Sequence, residues 1–556
     1  MTSPPSDHVS VRSRARALAP GPRALVVLAA LVAHLPALGN GFTTDDRSLL
    51  VDNPFLRSAR GLPTLLSSEM FIASGEPTLT PYYRPLSSLL YWLSYQGLGA
   101  RAPLQHGLNV VMHMAVAWLL VVTVERLGAS RAAAAASGLL FAVHPVGSEL
   151  VAYLGGRQDM LGWLFALAAL LVVSRGALGL RAGLLVFLAT FAAISSREFF
   201  LFFPPVLATA ALLRGARAGS ARRAAVALLG SGAAVAAATG LRRALGLIPL
   251  VPPPASPSSW LRAAATVELR LLRDALAPTD LSHASTLPLV PGSAALAVLT
   301  LTALAAAAGF AWLRRSAPER LAAYAVGVAV FGVAFIAHAA VLLRFGYISD
   351  RYAYVTLLGL TLAGAAAASP IAREASRGLS ARFARRMRLA PLVLAVATLP
   401  LTWSRDLAWK DDETLISTMI ADRPDDPESE FARASLALEH AGLDAAHPHC
   451  LRYAEARPES DKAAFCLGAW LLAHGRAREA VPLLERYVRG RPGFAPSRRA
   501  LLAALLASGQ LDAVDRWLAL LEPDFPGASE LVEARAELAR RRAAPPAAPD
   551  RHPDPR

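Results

Sequence analysis

Residues 290–343 read VPGSAALAVLTLTALAAAAGFAWLRRSAPERLAAYAVGVAVFGVAFIAHAAVLL. Two apolar stretches, 290–312 and 321–343, flank a loop carrying Arg314, Arg315 and Arg320. At about 1.5 Å per helical residue each stretch reaches across a hydrocarbon layer of about 30 Å. The arginines between them mark the cytoplasmic side, because short loops rich in Lys and Arg are retained there. The pair reads as one hairpin of a polytopic, all-α membrane bundle.

Working outward, similar segments lie near 24–38, 107–124, 132–148, 150–173, 182–196, 199–213, 224–240, 352–370 and 389–403, giving about eleven spans. Several are short and call for tilt or local thinning of the bilayer. The whole chain of 556 residues is 54% hydrophobic and 17% charged, too apolar for an ordinary soluble protein, and the excess falls before residue 405. Net charge is +15, but the arginines sit between apolar segments and not in one stripe with interleaved aromatics. Membrane lipid headgroups are therefore the expected partner, and nucleic acid is not.

The inner loops receive Arg126 and Arg131, Arg175 and Arg181, Arg214 to Arg223, Arg314 to Arg320, and Arg373 to Arg388. Arg242 and Arg243 break the pattern, falling outside at the head of a long Pro-rich loop containing VPPPASPSSW. Ala24 to Leu38 follows a basic stretch, 1–23, and reads as a first membrane helix or the core of a signal peptide. Either sends the residues after Asn40 to the outer side. An odd number of spans then places loops 41–104 and 241–289 outside, together with everything after the membrane domain, 24–404. The expected location is an inner (plasma) membrane, with the tail in the periplasm.

After a connector, 405–426, the period becomes 34: Pro427, Asp461 and Ala495 open successive units. Leu467 matches Leu501, Gly475 matches Gly509, and Pro458, Pro492 and Pro526 close the units. This fits a tetratricopeptide-type α-solenoid over 427–540, with a degenerate first unit where His447, Pro448 and His449 meet the start of its second helix. Its concave face would hold an extended peptide; a plain spacer is the alternative. The Pro-rich end, 541–556, reads as disordered. Cys450 and Cys466 are the two cysteines of the chain; burial in helices is their default reading, and a disulfide becomes possible in an oxidising compartment.

Asp45, Asp46, His144, Glu149, Arg157, Asp159, Arg197, Glu198, Asp350 and Arg351 all fall at outer ends, from five separate places in sequence. Singly, a plain ion pair explains each, for example Glu149 with Arg157 or Asp350 with Arg351. Together they point to a site, since ionisable groups near apolar spans are costly and are kept mainly where they act. Glu149, Tyr153 and Arg157 recur at helical spacing and would line one face. His106, Asn109 and His113 also share a face, but seven residues set the two imidazoles about 10 Å apart along the axis, too far for one ion, so polar helix contacts are expected. No P-loop, nucleophile elbow or HExxH helix is present, and no metal ligand set is read.

The ordered set GFTTDDRSLLVDNP, YYRPLSSLLYW, LNVVMH, LLFAVHPVGSELVAYLGGRQDMLG, SSREFF, ISDRYAYVTLLG and RDLAWKDDETL, followed by the repeats, resembles the transmembrane and tetratricopeptide-repeat O-mannosyltransferases and their bacterial relatives. That resemblance implies a GT-C-like fold and a polyprenyl-phosphate sugar as donor. The acceptor would be Ser or Thr hydroxyls of exported proteins, presented through the repeats. It places the catalytic carboxylate at Asp45, with Asp46 holding the acceptor or orienting Asp45. His144, Glu149, Arg157, Arg197, Glu198, Arg351 and Arg84 become candidates for the donor phosphate and substrate; interfacial snorkelling beside Tyr82 and Tyr83 is the other reading of Arg84. Two departures stand out: Arg197 replaces a usual lysine, and Gly147 replaces a second histidine or other polar residue. Transfer to a lipid-linked or envelope glycan, and a non-enzymatic scaffold or transporter recruiting partners through the repeats, are the competing readings.

Overall fold

The computed structural model describes residues 21–72, 82–175, 179–214, 219–247, 255–283, 285–378, 381–458, 460–523, 525 and 527–543, with the backbone alone over 369–388. The basic stretch before residue 21, residues 248–254 of the Pro-rich loop and the end after 543 lie outside the described residues. The chain divides into two compact units, and the break falls between Asp422 and Arg423, inside the expected connector.

The first unit is helical. Its helices are α1 Pro22–Ala33, α2 Leu62–Ser67, α3 Pro85–Leu98, α4 Ala102–Arg126, α5 Arg131–Ala142, α6 Gly147–Ala152, α7 Arg157–Val173 and α8 Leu180–Ser196. They continue as α9 Pro204–Leu213, α10 Ser220–Ala244, α11 Pro257–Leu276, α12 Gly292–Ser316, α13 Leu321–Phe345, α14 Ala353–Gly378, α15 Ala381–Leu407 and α16 Asp412–Asp422. Among the described residues, six helical segments are long and apolar enough to cross a membrane: Pro22–Gly39, Ala102–Arg126, Leu154–Val173, Ser220–Ala244, Gly292–Ser316 and Pro318–Phe345. Three more apolar helices of this unit, α5, α8 and α9, have 10 to 17 residues. At about 1.5 Å per residue these reach only about 15–26 Å, short of the hydrocarbon thickness.

Apolar side chains face outward as well as inward, and some polar groups lie inside. On α12, Leu296, Leu301 and Leu304 are exposed, whereas α4 buries Gln105, His106, Asn109 and His113. Apolar surface outside and polar groups inside are stable together only where the surroundings are hydrocarbon, so the chain is a multi-pass membrane protein. Where α13 meets α14, a Cβ on Gly327 would lie 2.5 Å from the Gly359 carbonyl oxygen; two glycines bring the backbones together, as small residues do between membrane helices.

Two loops differ from expectation. The apolar run 132–148 stops being helical at Ala142, and Tyr153 is extended, so Glu149 and Arg157 belong to different helices and do not share a face. The long loop 241–289 contains α11, started by Pro257 and by a Ser256 side chain that accepts from the Ser259 N–H. Its end is tied down by a two-residue antiparallel pair, β1 Ser285–Thr286 with β2 Tyr347–Ile348. The misplaced Arg242 is buried, and it donates to Glu198 and to the Tyr83 carbonyl, so it is a paired internal charge and reports nothing about loop sidedness.

The second unit contains α17 Pro427–Ala441, α18 Leu443–Ala456, α19 Lys462–Ala473, α20 Ala477–Gly490, α21 Ala495–Ala507, α22 Leu511–Leu521 and α23 Ser529–Ala543. Gly442, Gly475 and Gly509, at the ends of α17, α19 and α21, take positive φ, the left-handed turn that glycine permits without a Cβ clash. Leu484, Val488, Leu501, Leu505, Val514 and Leu518 form its core. The His447–His449 stretch is fully helical within α18, so the first pair is complete and the reading of a degenerate second helix is corrected.

Cys450 on α18 and Cys466 on α19 form a disulfide, with Cα atoms 6.5 Å apart and a sequence separation of 16. Closing a loop of that length stabilises by about 3 kcal/mol on the chain-entropy account. Thiol alkylation and mass measurement of the intact protein should find both sulfurs blocked until a reductant is added. Cys466→Ser should make the second unit more sensitive to protease and denaturant; free thiols in freshly isolated protein would contradict this.

Candidate functional site

The end of the first membrane segment is stitched to the end of α15. The Asn40 side-chain amide donates to the Asp406 carbonyl at 2.8 Å, Gly41 N–H donates to the Lys410 carbonyl at 2.8 Å, and Thr44 N–H donates to Asp412 Oδ1 at 2.7 Å. His34 Nδ1 lies 3.1 Å from the fully buried Asp406 carboxylate. Thr44 has φ of +47°, a left-handed conformation that a β-branched residue adopts only under constraint. The bond to Asp412 is such a constraint, and it turns the two adjacent carboxylates apart.

Asp46 points inward and is fully buried; its oxygens accept from Thr43 N–H at 3.2 Å and Leu154 N–H at 3.0 Å. Asp45 points outward and is exposed, and it accepts from the Tyr153 hydroxyl at 2.7 Å. Burial raises Asp46 from the usual carboxylate range to about 8, against the opposing pull of the two backbone N–H groups. Asp46 thus fastens the loop to the start of the segment before α7, while Asp45 is the free carboxylate.

Tyr153 is the centre of the arrangement. Its ring stacks on Trp409 at 5.3 Å between centroids, and the Arg351 guanidinium lies over it at 5.7 Å. Glu149 accepts from Ser349 Oγ at 2.6 Å and from Arg351 N–H at 3.2 Å, faces the Arg351 guanidinium at 3.6 Å, and pairs with His283 Nδ1 at 3.1 Å. Burial alone would raise Glu149; His283 and Arg351 outweigh it and hold the group below its ordinary range. His283 in turn stands edge-on to Trp409, at 4.9 Å. Asp45, Tyr153, Arg351 and Glu149 are therefore linked by one chain of contacts, flanked by Trp409 and His283.

The other predicted residues are placed differently. Arg157 is fully buried and donates to Asn109 Oδ1, Ser94 Oγ and the Gln105 carbonyl at 2.8–3.0 Å, so it binds helices together and offers nothing to a donor. Arg84 pairs with Glu198 at 2.7 Å, and Glu198 also takes Arg242 at 3.0 Å. Although burial raises Glu198, these two arginines pull it to about 2. That triad is internal glue, in place of the expected contact to substrate and of snorkelling to the interface. His144 accepts from Val146 N–H at Nδ1 and has the Ala275 carbonyl as its second partner, so backbone occupies both ring nitrogens. Asp350 pairs with Arg270 and not with Arg351. Arg197 faces Asp159 at 3.2 Å with its side chain 14% exposed.

His106, Asn109 and His113 take the Gly41 carbonyl, the Val151 and Tyr153 carbonyls, and Tyr354 as partners, each across elements. Among the described residues no group of three or more His, Cys, Asp or Glu is arranged to hold a metal ion. Sequence reading missed His283, Ser349 and Trp409. Ser349 and Trp409 lie inside ISDRYAYVTLLG and RDLAWKDDETL, beside the charged Asp350 and Lys410, and no pattern in the sequence marks His283.

Fold and site together define a multi-pass helical membrane protein in which an exposed carboxylate at the end of the first membrane segment is linked through one tyrosine to an arginine. Comparison with curated proteins gives that class a family likeness. The chain is 35% identical over 162 residues to the Drosophila melanogaster protein O-mannosyl-transferase Tmtc1, covering 28% of this chain and 18% of that one. It is 33% identical over 173 residues to human protein O-mannosyl-transferase TMTC1, covering 30% and 20%, and 33% identical over 148 residues to mouse TMTC3, covering 26% and 16%. Over the matched stretch the chain is TMTC-like, and it spans about a fifth of the length of these relatives. No family profile matches the chain. No solved structure matches it either.

Because Asp46 is raised in the folded state, its contribution to stability is full in acid and falls as pH rises from about 4 to about 8. Unfolding of the purified protein followed across that range should show the decline, and Asp46→Ala should remove that part of the slope. An unchanged slope would show Asp46 to be ionised throughout.

Proposed function

We propose that this protein is a membrane glycosyltransferase that moves a sugar, mannose, from a polyprenyl phosphate to Ser or Thr hydroxyls of exported proteins. The reaction takes place at the outer face of an inner membrane crossed by about eleven helices. The single observation that carries the reading is the exposed Asp45 carboxylate, held by Tyr153 one ring away from the Arg351 guanidinium. The name shared by the relatives, protein O-mannosyl-transferase, supports the sugar and the acceptor class.

In this reading Asp45 takes the proton from the acceptor hydroxyl as its oxygen bonds to the anomeric carbon. The bond from that carbon to the phosphate oxygen breaks on the opposite side, with inversion, and polyprenyl phosphate leaves with the electron pair. Arg351, with Arg197 as the second cation, stabilises the negative charge that develops on the phosphate. Tyr153 holds Asp45 in place, and Trp409 offers an aromatic wall. The helix pairs of the second unit, read as tetratricopeptide repeats on the periplasmic side, present the acceptor chain.

Purified protein in detergent, supplied with labelled polyprenyl-phosphate mannose and Ser/Thr-rich peptides, should transfer label. Asp45→Asn should lower kcat by about 10²–10⁴, the usual worth of a general base, with membrane insertion intact. Tyr153→Phe should lower it by about tenfold through loss of one hydrogen bond to a charged oxygen. Full activity in Asp45→Asn would sink the assignment.

A further inference from the structure

His338 lies on α13, seven residues before the end of that helix at Phe345 and so about 10 Å along its axis. It is 5% exposed. Its imidazole is stacked between Tyr352, at 4.2 Å between centroids and 21° between planes, and Phe199, at 5.7 Å and 14°. These two rings belong to the segments that carry the two least satisfied cations of the site. Tyr352 follows Arg351, whose guanidinium lies over the Tyr352 ring at 5.4 Å. Phe199 lies two residues past Arg197. Both guanidiniums are close enough to act electrostatically on His338.

The ring is poorly satisfied. Nδ1 makes no hydrogen bond of normal geometry among the described residues, and the Ala334 carbonyl one helical turn back is the group beside it. The Arg351 Nε is likewise buried without an acceptor among the described residues. A buried polar group without a partner costs free energy, and an ionisable residue within a membrane helix is retained chiefly where it acts. Arg197 faces Asp159 at 3.2 Å and Arg351 faces Glu149 at 3.6 Å, so the site is not short of negative charge; what it has left over is donors, the Arg351 Nε and the imidazole, and the ligand that takes several donors at once is an anion with several acceptor oxygens.

We propose that His338, with Arg197 and Arg351, forms a phosphate-binding site in which the imidazole supplies a neutral hydrogen-bond donor between the two cations. The inference rests on the glycosyltransferase reading, since the phosphate is assigned to the lipid-linked sugar. Two arginines neutralise the charge of the phosphate. The imidazole, immobilised by its aromatic sandwich, fixes the orientation of the phosphate, which point charges alone do not. The sandwich gives a stiff, flat side chain a packed face on either side, and it joins the donor site to two elements from separate parts of the chain.

The test is equilibrium binding of labelled polyprenyl phosphate to the full-length protein in detergent, with phosphatidylglycerol as competitor and thermal unfolding as control. His338→Phe keeps the stack and removes the ring nitrogens; it should bind about tenfold or more weakly with an unchanged melting temperature, the scale of one hydrogen bond to a charged oxygen. His338→Gln, which keeps an N–H, should fall between that variant and the wild type. Wild-type affinity in His338→Phe would overturn the assignment while leaving the reaction class standing. Equal losses in both variants with lowered melting temperatures would make His338 a packing residue and would also overturn it. Displacement of polyprenyl phosphate by equimolar phosphatidylglycerol would assign the site to membrane headgroups and overturn the donor role. No binding by the wild type would remove this inference and the glycosyltransferase reading together, whereas binding without transfer would strike at the reading alone.

Discussion

The bond from Thr44 N–H to the Asp412 carboxylate, with those from Asn40 and Gly41 to the same segment, joins the first membrane segment to the last helix of the bundle. Within the loop so held, Thr44 has its positive φ, Asp46 is buried and fastened by the Thr43 and Leu154 N–H groups, and Asp45 is exposed beside the Tyr153 hydroxyl. Adjacent identical residues acquire opposite roles from a single strained backbone position. The same closure brings Trp409 under Tyr153, because Trp409 lies between the two residues that accept from Gly41 and Thr44 on one side and Asp406 on the other.

Around this loop part of the bundle interior is held by sets of charges paired with one another. Arg84, Glu198 and Arg242 form one closed set, and Arg270 with Asp274 and Asp350 forms another. Arg157 is saturated by side-chain and carbonyl acceptors. In a hydrocarbon setting there is no water to compensate a lost partner, so removing one member of such a set leaves an uncompensated buried charge at a cost of about 3–5 kcal/mol. These residues specify which helix meets which, much as small apolar side chains do elsewhere in the bundle.

That division explains what could be read from the sequence. Six of the eleven apolar segments are legible as helices long enough to span, since hydropathy averages over about twenty residues and tolerates errors of a few positions. Asp45, Glu149 and Arg351 are legible as candidates for one cluster because each lies at or near the end of an apolar stretch. What failed was local geometry. Helical spacing was carried from Glu149 through to Arg157, but Tyr153 is extended, and a break of one residue turns Arg157 into the core and leaves Glu149 facing Arg351. His283 was invisible because its role comes from a loop folding back over a distance of 134 residues to Glu149. The pairing of Cys450 with Cys466 was open for a related reason: spacing of 16 residues permits it, and only the packing of α18 on α19 brings the Cα atoms to 6.5 Å.

The arginines sort themselves by whether their donors are used. A guanidinium has five N–H donors, and Arg157 has an acceptor on each of its three nitrogens and is fully buried, so an incoming anion would have to displace contacts between helices. Arg351 holds Glu149 only at 3.6 Å through its side chain, leaves Nε unused among the described residues, and spreads its charge over two aromatic faces. A cation arranged in this way is kept in place by weak, direction-tolerant contacts. Tyr153 is shared between that cation and Asp45, so one ring lies against the guanidinium and donates to the carboxylate. The distance between the group that would take a proton and the group that would receive a departing negative charge is therefore set by one side chain, and the aromatic stack on Trp409 is what keeps it constant.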